Sequence, residues 1–192
     1  FQVKSTRGSM RAEIFETSLD GMPVYLVDGR PVREVKTAYS PSAEKDGDKF
    51  VFFCRAVLEF CSRGYFKPDI LHANDWHTAI IPHLIKNASN EYPSLETVRT
   101  IFTIHNLPFM GTGIQSSLEK FGLRPSADSD LPEWARFAPL PMGLTAADRI
   151  SAVSPHYRDE LFTPEFGCGL QDYLKKNKSK IEGILNGIDT GA

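Results

Sequence analysis

The chain has 192 residues, of which 41% are hydrophobic and 24% are charged, as in an ordinary globular protein of one domain. This composition excludes a disordered tail, a collagen-like repeat and a coiled coil. The net charge of −2 provides no basic surface that could neutralise phosphates, so no nucleic-acid partner is expected.

A β-hairpin is the first predicted element. Residues 12–19 and 22–28 are short apolar-rich runs, and the Asp20-Gly21 pair between them suits a turn in which both residues have positive φ. The polar stretch 31–48 is expected to be a loop. Asp48 is then expected to cap a helix that ends at Gly64.

Strands and helices alternate along the rest of the chain. Strands are predicted at 69–72, 97–104, 149–153 and 181–185, and helices at 76–86, at 140–148, after Ser154-Pro155 and at 169–176. Such alternation indicates an α/β fold with a doubly wound, mostly parallel sheet. We therefore divide the single domain into a hairpin and loop, 1–47, and an alternating β/α part, 48–192.

Cys54, Cys61 and Cys168 form an odd set with no closely spaced pair, which excludes a disulfide framework and a zinc finger. The first two are expected to be buried free thiols, which suits a reducing compartment such as the cytoplasm. No run of residues reaches the roughly 18 apolar positions of a membrane span, so no membrane partner is expected.

Polar side chains follow each of the four predicted strands, where ligands bind in open α/β sheets. The residues concerned are 72–77, His105, Asn106, Ser154 and 186–189. A metal site at His72, Asp75 and His77 is not expected, because their spacing does not match a known ligand motif. A site that hydrogen-bonds a small molecule is favoured over it.

Structural roles for the same residues remain open alternatives. Asp75 is well placed to cap the helix that begins at Trp76, and His72 could be an ordinary hydrogen-bonded histidine. Trp76 and Trp134 could stack on a sugar ring, although core packing is the default for tryptophan.

Five segments, in order, resemble glycosyltransferase family 5, the bacterial glycogen synthases and plant starch synthases. They are DILHANDWHTA from Asp69, TIHNL from Thr103, ADRISAVSP from Ala147, TPEFGCGL from Thr163 and GILNGID from Gly183. Residues 21–28 also resemble a segment of that family. The resemblance therefore covers most of the chain.

The resemblance implies the N-terminal Rossmann-like domain of a GT-B hexosyltransferase. Such an enzyme transfers glucose from ADP-glucose to the non-reducing end of an α-1,4-glucan with retention of configuration. ADP-glucose and the glucan are then the partners, no metal or other cofactor is implied, and the compartment is the cytoplasm, or the plastid in a plant.

Two parts of the family pattern do not occur in this chain. One is the early Lys-x-Gly-Gly-Leu segment, and the other is the second domain, with its Arg/Lys pair at the pyrophosphate. We therefore expect a fragment that is incomplete at its N-terminus, inactive by itself and marginally stable.

The resemblance also assigns roles to individual residues. His105 matches the histidine that hydrogen-bonds the transferred glucose and is the expected catalytic residue. The expected substrate-binding residues are Asp75, His77, Asn106 and Asn186. The sequence departs from the family at 107–111, where Leu-Pro-Phe-Met-Gly lacks the family's tyrosine hydroxyl and glutamine amide.

Two other functions remain open at this point. The chain could be a non-catalytic glucan-binding module, or part of another retaining two-domain transferase that uses a sugar nucleotide.

Overall fold

A computed structural model describes residues 1–188 and contains two sheets with helices packed against them. The antiparallel sheet has the order β1 (Gln2–Ser5), β2 (Gly8–Leu19) and β3 (Met22–Gly29). The parallel sheet has the order β4 (Ile70–Asn74), β5 (Arg99–Ile104), β6 (Arg149–Ala152) and β7 (Ile181–Gly183). The predicted α/β fold with a parallel, Rossmann-like sheet is therefore confirmed.

Eight α-helices connect or flank these strands in the described part of the chain. They are α1 (Arg30–Arg33), α2 (Ala43–Ser62), α3 (Asp75–Thr78), α4 (Ile80–Asn87), α5 (Gln115–Lys120), α6 (Pro139–Ala146), α7 (Pro155–Leu161) and α8 (Gln171–Lys176). Short 3-10 turns occupy Pro93–Leu95, Glu133–Phe137 and Lys178–Lys180. None of the described helices is long and apolar enough to cross a lipid bilayer.

The predicted hairpin is confirmed and longer than expected. Leu19 pairs with Met22, and Asp20 and Gly21 between them have φ values of 50° and 79°, as a two-residue turn requires. Strand β1 was not predicted, because its sequence is short and polar. It forms through pairing with the extended start of β2, where Val3 lies opposite Met10.

The prediction that Asp48 caps the long helix is wrong. Helix α2 begins at Ala43, and the Ser42 hydroxyl accepts the Lys45 N–H at 3.3 Å. Gly47 lies inside this helix, and the absence of a side chain there leaves room for Ile114 and Ser117. An added Cβ would lie 2.7 Å from each of them. The predicted loop at 31–48 therefore contains α1 and the first turn and a half of α2.

The helix predicted at 76–86 is broken into α3 and α4 at Ala79. Pro82 has no N–H to donate, so it is accommodated in the first turn of a new helix and not in the middle of a continuous one. The break also brings Ala79 against Gly143 of α6, where an added Cβ would lie 2.8 Å from the Ala79 Cβ.

The remaining boundaries of the parallel sheet and its helices lie within two residues of those predicted. Register places Asn74 opposite Thr103, and Thr103 opposite Ser151. The residues that follow β4, β5, β6 and β7 consequently share one edge of the sheet. Asp189, the last residue of the GILNGID segment, lies outside the described residues.

Two apolar cores support this edge. One lies against the parallel sheet and includes Phe102, Ile104 and Leu144, and the other joins α2 to the antiparallel sheet and includes Val3 and Phe52. Cys54 and Cys61 are buried free thiols, as predicted. Cys168 is half-buried.

His83 of α4 is a buried histidine outside the predicted site. Its Nε2–H donates to the Arg124 carbonyl at 3.0 Å, and its Nδ1 accepts from the Asn87 amide at 3.2 Å. Burial lowers the pKa of His83 from 6.5 to about 4, so the ring is neutral in the folded chain at pH 7.

This burial predicts a loss of stability in mild acid. Between pH 6.5 and pH 4 the unfolded chain binds a proton at His83 that the folded chain does not bind, so stability falls as pH falls. The free energy of unfolding should decrease by about 2 kcal/mol between pH 7 and pH 5 relative to His83→Gln. Urea denaturation at both pH values measures this difference.

His156→Gln is the matched control, because the His156 side chain is 86% exposed. This variant should show the same pH slope as the unsubstituted chain. An unchanged slope in His83→Gln would contradict the prediction.

Candidate functional site

Asp75 lies where β4 ends and connects that strand to the end of β5. Its Oδ1 accepts the His105 N–H at 2.8 Å and the Asn106 N–H at 3.3 Å. Its φ of 51° is in the left-handed region, which is uncommon for residues other than glycine but is adopted by Asp more readily than by most. The alternative role as a helix cap is wrong, because Asn74 occupies the N-cap position and Asp75 is the first helical residue.

His105 lies directly after β5 with its ring beside Asn74. The His105 Nε2 is 2.9 Å from the Asn74 Oδ1. The structure thus brings Asp75, His105 and Asn106 together through hydrogen bonds between the ends of two neighbouring strands.

His77 faces a different set of groups. Its Nε2 is 2.9 Å from the Tyr39 hydroxyl, and its ring centroid lies 4.7 Å from that of Phe50 and 4.6 Å from that of Trp76. Burial lowers the pKa of His77, and the positive charge of Lys49 lowers it further, against the opposing effect of Asp75. The ring is therefore neutral at pH 7.

A cavity of about 690 Å³ adjoins these residues. Three of the predicted site residues line it: Asp75, His77 and Asn106. Tyr39, Trp76 and Phe109 contribute aromatic surface, and Asp46 contributes a second carboxylate. Among the described residues that line this cavity, none is Lys or Arg. Acidic, amide and aromatic groups suit a neutral polyhydroxyl compound better than an anion.

The two tryptophans occupy different environments. Trp76 is 8% exposed and packs against Gly111, where a Cβ would lie 2.6 Å from the indole. It is mainly a core residue with one side on the cavity. Trp134 is half-exposed and lies near Gly169, away from the cavity residues.

The segment 107–111, which departs from the family pattern, forms one wall of the cavity. Phe109 is 64% exposed there, whereas Met110 is buried and its carbonyl accepts the Leu140 N–H at 3.1 Å. The segment is thus held by its backbone, and it presents an aromatic ring to the cavity in place of the family's tyrosine hydroxyl.

Asn186 is not brought into contact with the other predicted site residues. It is exposed and lies three residues beyond β7. Because neighbouring strands are about 4.8 Å apart, β7 lies about 14 Å from β4 across the sheet. Asn186 shares the sheet edge with Asp75 but not the cavity.

Three residues that contact the site were not singled out from the sequence. Asn74 holds the His105 ring, Tyr39 holds the His77 ring, and the Tyr157 hydroxyl accepts the Leu107 N–H at 2.9 Å. Asn74 lies inside the first family-like segment and could have been found there. Tyr39 and Tyr157 reach the site only through the fold, and no sequence signal marks them.

No group of three His, Cys, Asp or Glu side chains within residues 1–188 is arranged to hold a metal ion. His72 has the structural role considered as an alternative, because its Nε2 lies 2.6 Å from the Thr103 hydroxyl.

Residues 1–176 match the family model described as the starch synthase catalytic domain. Glycogen synthase 2 from Geobacter metallireducens is 37% identical over 180 residues, which cover 91% of this chain and 37% of that protein. A glycogen synthase from Streptococcus pneumoniae is 38% identical over 180 residues, which cover 92% of this chain and 37% of that protein. The chain thus spans little more than a third of the length of these relatives.

A solved structure has the same fold as this chain. It is the catalytic domain of starch synthase IV from Arabidopsis thaliana, bound to ADP and acarbose. It superposes with a TM-score of 0.86 at 30% identity, covering 98% of this chain and 40% of that one.

Proposed function

Because this chain belongs to the family of starch synthase catalytic domains, we propose that it forms part of a glucan-synthesising hexosyltransferase. The proposed reaction moves glucose from ADP-glucose to the non-reducing end of an α-1,4-glucan and retains the anomeric configuration. The sugar nucleotide is a substrate in this reaction, and no metal or further cofactor takes part. The two glycogen synthases named above are bacterial, and we place the reaction in the cytoplasm, or in the plastid for a plant protein.

The observation that carries this proposal is the hydrogen-bonded set of Asp75, His105 and Asn106, of which Asp75 and Asn106 line the cavity. Both backbone N–H groups reach Oδ1 of Asp75, and no described residue donates to its Oδ2. That oxygen can accept from a sugar hydroxyl. The similar starch synthase IV structure was solved with ADP and acarbose, which supports nucleotide and glucan as the ligand classes.

The residues have separate roles in the proposed reaction. His105 contacts the transferred glucose, Asp75 lies on the acceptor side, and Asn106 lies beside them in the cleft. His77 contributes a neutral ring to the cavity wall, and Asn186 contacts the sugar from the far end of the sheet edge. Because Asp75 already holds the backbone at this end of β5, these residues lose little conformational freedom when substrate binds.

The leaving phosphate needs positive charge, which the described cavity residues do not supply. We propose that these cations belong to a second domain of the same enzyme, outside this chain. This division gives the sugar-orienting groups to the present chain and the phosphate-binding groups to the other domain. The shortage of cations is also the observation that favours a non-catalytic glucan-binding module as the second candidate.

Glucose transfer by the complete gene product tests the proposal. With a maltohexaose primer, transfer from ADP-glucose should be measurable and should exceed transfer from UDP-glucose. The 192-residue chain alone should bind maltohexaose in a calorimetric titration but transfer no glucose.

The other possible results of these assays distinguish between the candidate functions. Binding without transfer by the complete gene product would favour the glucan-binding module. Faster transfer from UDP-glucose would indicate another retaining transferase. Substantial transfer by the 192-residue chain would contradict the proposed division between domains.

A further inference from the structure

The side-chain oxygen of Asn74 forms a hydrogen bond with the His105 ring. The Asn74 Oδ1 lies 2.9 Å from Nε2 of His105. An amide oxygen has lone pairs and no proton, so Nε2 must be the donor in this contact. In the neutral ring, Nδ1 is then unprotonated and is a hydrogen-bond acceptor.

The backbone of Asn74 is itself fixed by α3. The Thr78 hydroxyl donates to the Asn74 carbonyl at 2.8 Å and accepts the Asn74 N–H at 2.5 Å. The backbone position from which the Asn74 side chain extends is therefore fixed by Thr78.

Three further side chains on the same face of the sheet form hydrogen bonds with one another. Two of them lie two residues before Asn74 and His105 on β4 and β5. The His72 Nε2 lies 2.6 Å from the Thr103 hydroxyl, which lies 2.6 Å from the Ser151 hydroxyl. Thr103 and Ser151 are buried, so the bond between them is shielded from water. The two hydrogen bonds join β4, β5 and β6 directly beneath Asn74 and His105.

The end of β4 thus holds His105 at two points. Asp75 accepts from its backbone N–H, and Asn74 accepts from its ring. The backbone contact sets where the residue lies, and the ring contact sets which nitrogen is protonated. Two adjacent side chains with separate tasks explain why both are polar at a strand end.

We propose that Asn74 is a positioning residue that keeps neutral His105 protonated on Nε2, so that Nδ1 accepts from a hydroxyl group of the transferred sugar. This inference rests on the proposed function for the identity of the sugar. A bare Nδ1 matches a hydroxyl donor and does not match a phosphate oxygen, which itself requires a donor. A His105 ring in this tautomer therefore selects a hydroxyl-bearing group.

Nitrogen NMR of the 15N-histidine-labelled 192-residue chain at pH 8 tests the proton position directly. The chain has only five histidines, and comparison with His105→Gln assigns the signals of His105. We expect His105 as a single Nε2–H tautomer in the unsubstituted chain. Asn74→Leu keeps the number and branching of the side-chain heavy atoms but removes the acceptor, and it should give a mixture of both tautomers.

Two control variants separate this effect from general disturbance. Asn74→Asp retains an acceptor oxygen and should retain a proton on Nε2. Asn90→Leu makes the same replacement at an exposed asparagine in the loop between α4 and β5, and it should leave the spectrum unchanged. An Nδ1–H tautomer in the unsubstituted chain, or an unchanged spectrum in Asn74→Leu, would overturn the proposal.

Kinetics of the complete gene product supply the second readout. Asn74→Leu should lower kcat about tenfold with little change in KM for the glucan primer, because one neutral hydrogen bond is lost. Asn74→Asp should restore most of kcat. Unchanged kcat in Asn74→Leu would overturn the positioning role. The expected tautomer in a complete gene product that transfers no glucose would contradict the proposed function alone.

Discussion

Replacing His105 with alanine in the complete gene product should lower kcat for glucose transfer by about 100-fold. The ring is held by Asn74 at 2.9 Å while Asp75 holds the backbone, so in the proposed reaction His105 is already oriented when the sugar binds. Alanine keeps the backbone contact and removes the ring. The loss should therefore appear in kcat far more than in KM for the primer.

His156→Ala is the control for this experiment, because that side chain is exposed on α7 and pairs with Glu160 on the same helix. Both variants should keep the thermal midpoint of the unsubstituted protein to within a few degrees, since neither side chain is in the core. Unchanged turnover in His105→Ala would remove His105 from the site.

We expect the largest effect on the free energy of unfolding from substitution of Arg55. Its side chain is 5% exposed in the middle of α2, where a charge must be paired to be tolerated. Nη1 donates to Glu91 at 2.9 Å and to the Tyr92 hydroxyl at 3.3 Å, and Nη2 donates to the Phe121 carbonyl at 2.9 Å. One guanidinium thus joins α2 to the segment before β5 and to the end of α5.

Arg55→Met should lower the free energy of unfolding by about 2–5 kcal/mol, because two buried polar groups lose their hydrogen-bond donor. Methionine fills much of the same volume but leaves the buried Tyr92 hydroxyl and the Phe121 carbonyl without their donor. Urea denaturation at pH 7 measures the loss.

Arg63→Met is the matched control, since the Arg63 side chain is 48% exposed and forms an ion pair with Glu59 on the same helix. An exposed pair of this kind contributes less than about 1 kcal/mol. Equal losses of unfolding free energy in the two variants would show that burial does not make the Arg55 hydrogen bonds more stabilising than the exposed Arg63 ion pair.

Much of the fold could be predicted from local patterns. Asp20-Gly21 specifies a two-residue turn by backbone conformation alone, so the hairpin was predictable without its partners. Strands rich in β-branched residues alternating with helices specify a parallel sheet, and such sheets collect the residues after their strands at one edge. That rule was sufficient to predict that Asp75, His105 and Asn106 lie close together.

The errors have a common physical origin. The sequence predicts Asp48 as the helix cap, whereas Ser42 caps α2, which extends the helix across Gly47, against which α5 packs. Asp75 also has the composition of a helix cap. Its carboxylate instead accepts from the backbone N–H groups of His105 and Asn106. No local pattern identifies partners so far along the chain.

The sequence by itself therefore determined the order of strands and helices, the edge at which the site forms and the polar residues on that edge, because these depend on near-neighbour periodicity and turn chemistry. Only the tertiary structure decided which side chain each of those residues contacts. It placed Asn74 on the His105 ring, Tyr39 on His77 and Arg55 among three distant partners. Such pairs are far apart along the chain, and their hydrogen bonds exist only after the apolar cores have packed.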